Sequence, residues 1–335
     1  MSGFAGTQGR TTKSIAVGAI AALVLVATVA LIGCGANSTR GAAPPAPPVA
    51  RLKPPSVFTH VRGAIAIVGN PLVGVDPHGY RRVGVVSLSP GAPIAWSRDG
   101  SELLIDRHSG LFVLGRDGHE TRIAPRGSGG SFTPDGRSVV YGDPRSGIEE
   151  VSVTGGPPRS VTARYPSRFL LQTYGGGQLT PDGSKVAAVK LRPGRPRVGI
   201  WLLAVRGAPK AHALVSPASA AALLGDKGVQ QTLPLGWSWD GSRFAFGEVS
   251  RTGASCVIFT VAAGGSNIRR LTSLKRCAYS ATWGRPGSGI GVAFLGRGGT
   301  LTVETFNVNR TPLQRLGQWP NPGGDVPSIA WNPLG

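Results

Sequence analysis

Few residues in this sequence stand where they could carry out a reaction. The five histidines, His60, His78, His108, His119 and His212, are scattered along the chain, and no HExxH or other close pair of metal ligands occurs. Asp106 and His108 share a segment and could form an acid/base fragment, although a solvated loop accounts for them more simply. Glu149 and Glu150 are adjacent, and in a strand they would point to opposite faces, so they cannot act as a carboxylate dyad. Despite 51 glycines, no phosphate-cradling GxGxxG or GxxxxGK[ST] loop is present. The expectation is therefore no catalytic residue, no metal and no cofactor. What the chain has in excess is positive charge: 36 Lys and Arg against 16 Asp and Glu, a net +20, with Arg outnumbering Lys about four to one. Such a balance favours anionic partners. A base-composition bias that swaps Lys for Arg would give the same total, so only the placement of the arginines can distinguish the two.

Placement depends on the elements that hold them. The stretch Ile94-Ala95-Trp96-Ser97-Arg98-Asp99-Gly100-Ser101-Glu102-Leu103-Leu104-Ile105 reads as an apolar strand ending in an aromatic, a tight Asp-Gly turn and a second apolar strand, the signal of a β-hairpin. The pattern returns at Ser131–Gly136, Leu179–Gly183 and Gly236–Gly241, and in weaker form at Ala281–Gly287 and Ile329–Pro333. Taking each hairpin as strands A and B, the segments that follow supply C and D. These are Leu111–Leu114 with Thr121–Ile123, Ile148–Val153 with Arg159–Thr162, and Val198–Ala204 with His212–Val215. Cys256–Val261 with Ile268–Thr272 and Leu301–Val308 with Leu313–Leu316 complete the series. A four-stranded unit repeating in this way is what a β-propeller requires.

Five units are complete. Residues 63–69, 72–76 and 81–87 read as strands lacking a preceding A, and Ser328–Trp331 as an A strand lacking followers. Together they would make one more blade and leave no open edge. The expected fold is all-β, a six-bladed propeller closed by N- and C-terminal strands, with the C-terminal strand innermost in the closing blade. One helix is expected from Pro217 to Leu224, with Ser216 as N-cap, Pro217 at N1 and Gly225 just past its end.

The aromatic-Ser-x-Asp-Gly hairpins resemble the WD40-like repeats of the TolB family propeller, shared with the propeller domains of prolyl oligopeptidase-type peptidases. The resemblance covers about residues 58–335. It implies a propeller fold, and, since such propellers host binding, signalling and enzymatic roles, it leaves the activity open. The separate N-terminal α/β domain of TolB is missing here. So are the α/β-hydrolase domain and Gly-x-Ser-x-Gly elbow of the peptidases.

Within that architecture, Asp99, Asp135, Asp182 and Asp240 belong to hairpin turns, where an Asp side chain bonds backbone N–H groups and Gly supplies positive φ. Trp96, Trp237, Trp283 and Trp331 recur at one strand position and read as packing between blades rather than as a ligand cage. The B-to-C and D-to-A loops share one rim. Onto it fall Arg107, Arg145, Arg192, Arg195, Arg197, Arg251 and Arg297, joined by Arg126, Arg164, Arg168 and Arg276. The acids expected there are few: Asp106, Asp143, Asp226, Glu248 and Asp325. Tyr174, Gln178, Gln231 and Tyr279 lie near the expected channel mouth on the same side, a polar and aromatic set suited to binding. This loop-rich rim is the candidate ligand-binding face, with Arg supplying forked contacts to carboxylate or phosphate.

The N-terminus reads as an address. Arg10 and Lys13 precede an uncharged run from Ile15 to Ile32, and Leu31-Ile32-Gly33-Cys34 resembles a bacterial lipobox in which Cys34 would be lipidated. The run is also about 27 Å long as a helix, which a single-pass anchor would need. Residues 1–34 are thus a lipoprotein signal or membrane anchor, and both alternatives put the rest outside the cytoplasm. Residues 35–57, with Pro44-Pro45, Pro47-Pro48 and Pro54-Pro55, form a Pro-rich linker. An exported location makes a disulfide between Cys256 and Cys277 reasonable. The expected partners are the membrane, through an N-terminal lipid or helix, and an envelope protein or anionic polymer; nucleic acid is not expected. The function expected is a membrane-tethered, extracytoplasmic binding or scaffold module, with a propeller hydrolase or lyase and a sensor domain as alternatives.

Overall fold

The computed structural model describes residues 65–67, 72–75, 82–86, 92–107, 109–171, 176–191, 194, 196–253, 255–296, 300–308, 312–320 and 328–333. The chain divides into two units, Met1–Val49 and Ala50–Gly335. The first lies wholly outside the described residues, and so do the lipobox, the anchor run and the Pro-rich linker.

The strands fall into six four-stranded sheets, each meandering from an inner strand A to an outer strand D. Blade 1 is Ala92–Trp96, Glu102–Arg107, Gly110–Gly115 and Glu120–Ala124; blade 2 is Ser128–Phe132, Ser138–Asp143, Gly147–Ser152 and Arg159–Ser160. Blade 3 is Phe169–Leu170, Lys185–Lys190, Ile200–Ala204 and Ala211–Val215; blade 4 is Val229–Trp237, Arg243–Ser250, Cys256–Ala262 and Arg269–Arg270. Blade 5 is Cys277–Trp283, Ile290–Leu295, Thr300–Phe306 and Pro312–Pro320. The blades of consecutive strands number five, so the expected six-blade count depends on the remaining sheet, which the two ends build together. There Ile329–Trp331 is innermost, followed by Ile65–Ile67, Leu72–Val75 and Arg82–Val86. Ile65 faces Trp331, and Ile67 faces Ile329, in an antiparallel register.

Each hairpin turn is held by its own side chains. In blade 1, Asp99 Oδ1 accepts from the Ser101 amide at 3.1 Å and from Ser97 Oγ at 2.7 Å. Gly100 takes φ 65°, a conformation that only glycine adopts without strain. The same carboxylate-to-amide bond recurs from Asp135 to Arg137, from Asp182 to Ser184 and from Asp240 to Ser242. These bonds hold Asp99, Asp135, Asp182 and Asp240 below the usual carboxylate range; burial opposes them and is the largest single influence at Asp99.

The core lies between blades. Leu104, Val139 and Tyr141 pack in the cluster joining blades 1 and 2; Val140, Val186 and Leu203 in that joining 2 and 3. Ala187, Phe246 and Phe259 join 3 and 4, and Leu235, Ala281 and Val292 join 4 and 5. Ala293, Val303, Ile65 and Trp331 carry the packing from blade 5 to the closing sheet. The tryptophans link neighbours by hydrogen bonds as well. Trp237 Nε1 donates to Gln178 O at 3.1 Å and Trp283 Nε1 to Gly236 O at 3.0 Å, each reaching the preceding blade.

Three expectations about elements are corrected. The inner strand of blade 3, expected at Leu179–Thr180, is divided. Phe169–Leu170 pairs with Val189 and Lys190, Leu179 makes a single bridge to Val186, and among the described residues no strand joins the two pieces. The D strands of blades 2 and 4 are only Arg159–Ser160 and Arg269–Arg270. Beyond them the hydroxyls of Thr162 and Thr272 accept from the amides of Ile148 and Ile258, a side-chain substitute for ladder bonds. The helix runs Pro217–Ala222, capped by Ser216 Oγ accepting from the Ser219 amide at 3.0 Å. It stops short of Leu224, because Gly225 starts a 3-10 turn, Gly225–Lys227.

Candidate functional site

The loop-rich rim divides the arginines into two kinds. Arg107 is nearly enclosed, its Nη2 donating to Glu120 Oε1 at 2.5 Å and its guanidinium lying 4.9 Å from the Phe112 ring centre. Arg126 Nε stands 3.7 Å from Asp143 Oδ2. Arg276 Nη1 donates to both carboxylate oxygens of Glu304, at 2.8 and 2.9 Å. Arg164 reaches away from this rim and donates to Ala204 O and Gly207 O beside the C-to-D turn of blade 3, which corrects its assignment to the binding face. By contrast, Arg145, Arg168, Arg197 and Arg251 are exposed and carry no ion pair among the described residues. Arg192, Arg195, Arg297 and Tyr174 lie outside the described residues, as do His108 and Asp325.

Of the five acids expected on this rim, the three whose side chains are described, Glu248, Asp106 and Asp143, do little to offset that charge. Glu248 is fully buried, with Thr232 Oγ1 at 2.9 and 3.0 Å from its two oxygens; burial pushes its carboxyl well above the usual range, only partly offset by that bond. Burial likewise pushes Asp106 up to about 7. Asp143 has a different fate. Burial would raise its pKa, but the amides of Ser146 and Arg145 and the Arg126 charge outweigh this and hold it low, so its charge is spent on the loop and on Arg126. Burial thus disfavours the charged form of both Glu248 and Asp106.

Gln178 is not at a mouth. It is fully buried, donating through Nε2 to Pro234 O at 3.3 Å and accepting from Ser131 Oγ at 3.4 Å. Gly176 lies so close to blade 1 that a Cβ there would stand 1.9 Å from Ile94 O and 2.6 Å from Ala95 Cβ. The segment Gly176–Gln178 therefore fills the space between inner strands of blades 1, 2 and 4. Gln231 and Tyr279 are half-buried, and Tyr279 packs against the cluster between blades 4 and 5.

On the opposite, turn-side rim, a cavity of about 130 Å³ opens among Trp96, Phe132, Pro134, Pro181 and Trp237. Arg98 closes one side of it, its guanidinium 5.3 Å from the Trp239 ring centre and Nη1 3.4 Å from Pro181 O. Arg98, Pro134, Pro181 and Trp239 each precede a turn aspartate, so the repeat itself could have revealed that they converge. At the loop side, between blades 4 and 5, a polar cleft of about 420 Å³ is bounded by Lys275, Arg276, Glu304, Arg315 and Gln318. The Cys256–Cys277 disulfide, Cα–Cα 4.4 Å, ties the two blades there. Among the described residues no group of three or more His, Cys, Asp or Glu could hold a metal ion, and no helix is long and apolar enough to cross a membrane.

Four-stranded sheets that pack face to face in cyclic order, the last shared by the two ends of the chain, define a β-propeller. Its fold is TolB-like. A putative TolB from Agrobacterium tumefaciens superposes with a TM-score of 0.54 over 82% of this chain and 99% of that one, at 18% identity. TolB from Acinetobacter baumannii gives 0.56 over 81% of this chain and 67% of that one, at 17% identity. A chain of a nidogen/laminin complex gives 0.53 over 81% and 98%, at 10% identity. No protein-family model matches the sequence, and no curated protein does.

Proposed function

We propose that this chain is a tethered, extracytoplasmic binding module whose loop-rich rim engages an anionic envelope component, either a polymer or the acidic surface of a protein. In this reading residues 1–34 are the signal or anchor, with Cys34 the lipidation site, residues 35–57 the spacer, and residues 58–335 a six-bladed propeller whose closing sheet acts as the sixth blade. The observation that carries the reading is the fate of the rim's acids. With burial disfavouring the charged forms of Glu248 and Asp106 and with Asp143 committed to its own loop, the exposed Arg145, Arg168, Arg197 and Arg251 present positive charge that these acids do little to oppose. Exposed guanidinium groups of this kind suit forked contacts to carboxylate or phosphate.

The test is retention of the full chain, in mild detergent, on immobilised polyglutamate across a salt series. Retention that falls steeply with salt, and that is lost when Arg145, Arg168 and Arg251 are changed together to Glu, supports the reading. Equal retention by the triple variant would make the charge a matter of composition alone.

A further inference from the structure

We propose that the outer edge of blade 5 accepts an extended acidic peptide as an added strand, with peptide carboxylates entering the cleft between blades 4 and 5. This goes beyond the rim reading, since none of Arg145, Arg168, Arg197 and Arg251 takes part. Strand D of blade 5 is nine residues long, Pro312–Pro320, whereas those of blades 2 and 4 have two residues each. It stands last in its sheet, and among the described residues no strand pairs with its outer edge. A long free edge is a ready template for another chain, and strand addition draws affinity from main-chain bonds and specificity from pockets for alternate side chains. Leu313, on this strand, is 53% exposed, the highest value among the large exposed apolar residues described.

The adjoining cleft supplies such a pocket, and its charge selects the peptide. Glu304 and Arg315 are partners in register, yet both carboxylate oxygens of Glu304 are bound by Arg276, whose guanidinium lies 3.9 Å from the Phe294 ring centre. Arg315 and Lys275 are exposed and carry no ion pair among the described residues. The cleft thus brings three cations to one anion, with the neutral Gln318 beside them. Alternate residues of an added strand point to one face, so acidic side chains at every second position would meet Lys275 and Arg315. A second copy of this chain is the less suitable occupant, because each copy brings a net charge of +20.

The experiment measures fluorescence anisotropy of a labelled, end-blocked hexapeptide alternating aspartate and valine, titrated with the full chain in mild detergent. Saturable binding is expected, weakened about tenfold or more by Arg315→Glu, and similarly by Lys275→Glu. Both positions are exposed, and circular dichroism checks that each variant folds. N-methylation of alternate peptide amides should abolish the component of binding that Arg315→Glu weakens, since it removes edge donors without touching charge, whereas any component lost in the Arg145→Glu/Arg168→Glu variant belongs to the rim. Absence of binding, equal binding of the N-methylated peptide, or indifference to both Arg315→Glu and Lys275→Glu would overturn the proposal. Loss of binding only in the rim variant would move the peptide to the rim. Dimers in sedimentation that the peptide does not displace would assign the edge to a second copy and overturn it as well.

Discussion

The indole Nε1 of Trp96 donates to the backbone oxygen of Ala330 at 3.1 Å, joining residues 234 positions apart in sequence. The bond fastens blade 1 to the innermost strand of the closing sheet. Ser328 Oγ donates to Pro93 O at 2.5 Å and Asn332 Nδ2 to Gly100 O at 3.3 Å on the same side. On the other side the amides of Ile329 and Trp331 donate to Ser280 Oγ and Thr282 Oγ1 of blade 5.

Replacing Trp96 with Phe keeps an aromatic ring in the interblade packing but leaves the Ala330 oxygen without this donor. The expected loss is about 1–3 kcal/mol. Hydrogen exchange should locate the effect, with the amides of Ile65–Ile67 exchanging faster than those of blade 3. A uniform change across the blades would show that the bond does not govern the seam.

Gly176→Ala would place a methyl carbon 1.9 Å from Ile94 O, with Ala95 Cβ and the Ile94 carbonyl carbon also crowding it. The atoms in the way belong to a backbone paired in its own sheet and to a short side chain, so relief requires the inner strands to move apart. A destabilisation of about 3 kcal/mol or more is expected, at the upper end of overpacking effects. Gly194→Ala meets no atom within 4 Å, but at φ 67° it strains the backbone. As a control it should cost only about 1 kcal/mol. Chemical denaturation of both variants reads the difference, and equal midpoints would mean that the segment Gly176–Gln178 does not hold this position.

The buried carboxyls predict the shape of the pH dependence. A carboxyl whose pKa is higher in the folded than in the unfolded chain binds more protons when folded throughout the interval between the two values. Its favourable contribution is therefore complete below the unfolded value, near 4, and is lost as pH rises through the folded value, about 7 for Asp106. The turn aspartates, with lowered values, act oppositely and only at the acid end. Thermal midpoints should thus decline from about pH 4 toward neutrality, and Asp106→Asn should flatten that decline. Parallel profiles for parent and variant would rule out Asp106 as its source. Glu248→Gln should raise the midpoint at neutral pH, because unfolding frees this buried carboxyl to ionise and an amide removes that gain.

Reduction of the Cys256–Cys277 disulfide, which spans a sequence separation of 21, should remove about 3 kcal/mol of stability. For a domain of this size that corresponds to a fall of roughly 6–12 °C in Tm. Scanning calorimetry with and without reductant tests this, and the Cys256→Ser/Cys277→Ser variant should ignore reductant altogether.

The repeat made much of the fold legible because its determinants are local: an aspartate bonds an amide two residues on, and a glycine permits the turn. The pairing of Ile65–Ile67 with Ile329–Trp331 was readable for a different reason, since each end offered a part that the other lacked. What escaped was decided by distant neighbours. Nothing near Gln178 in sequence tells that Pro234 and Ser131 will enclose its amide, nor that Gly176 must pass within contact of Ile94. Sorting arginines by loop likewise located Arg107 and Arg164 by chain position. Their actual roles are set by Glu120 and by the carbonyls of blade 3.

The seam sets an order of events during synthesis. Strand Ile329–Trp331 leaves the ribosome, or the export channel, hundreds of residues after the strand it must join. Blades 1 to 5 can therefore assemble while Ile65–Ile67 still waits for its inner neighbour. Until the last strand arrives, the ring is an open arc with two apolar flanks, and a chaperone working on this protein would find those flanks longest exposed.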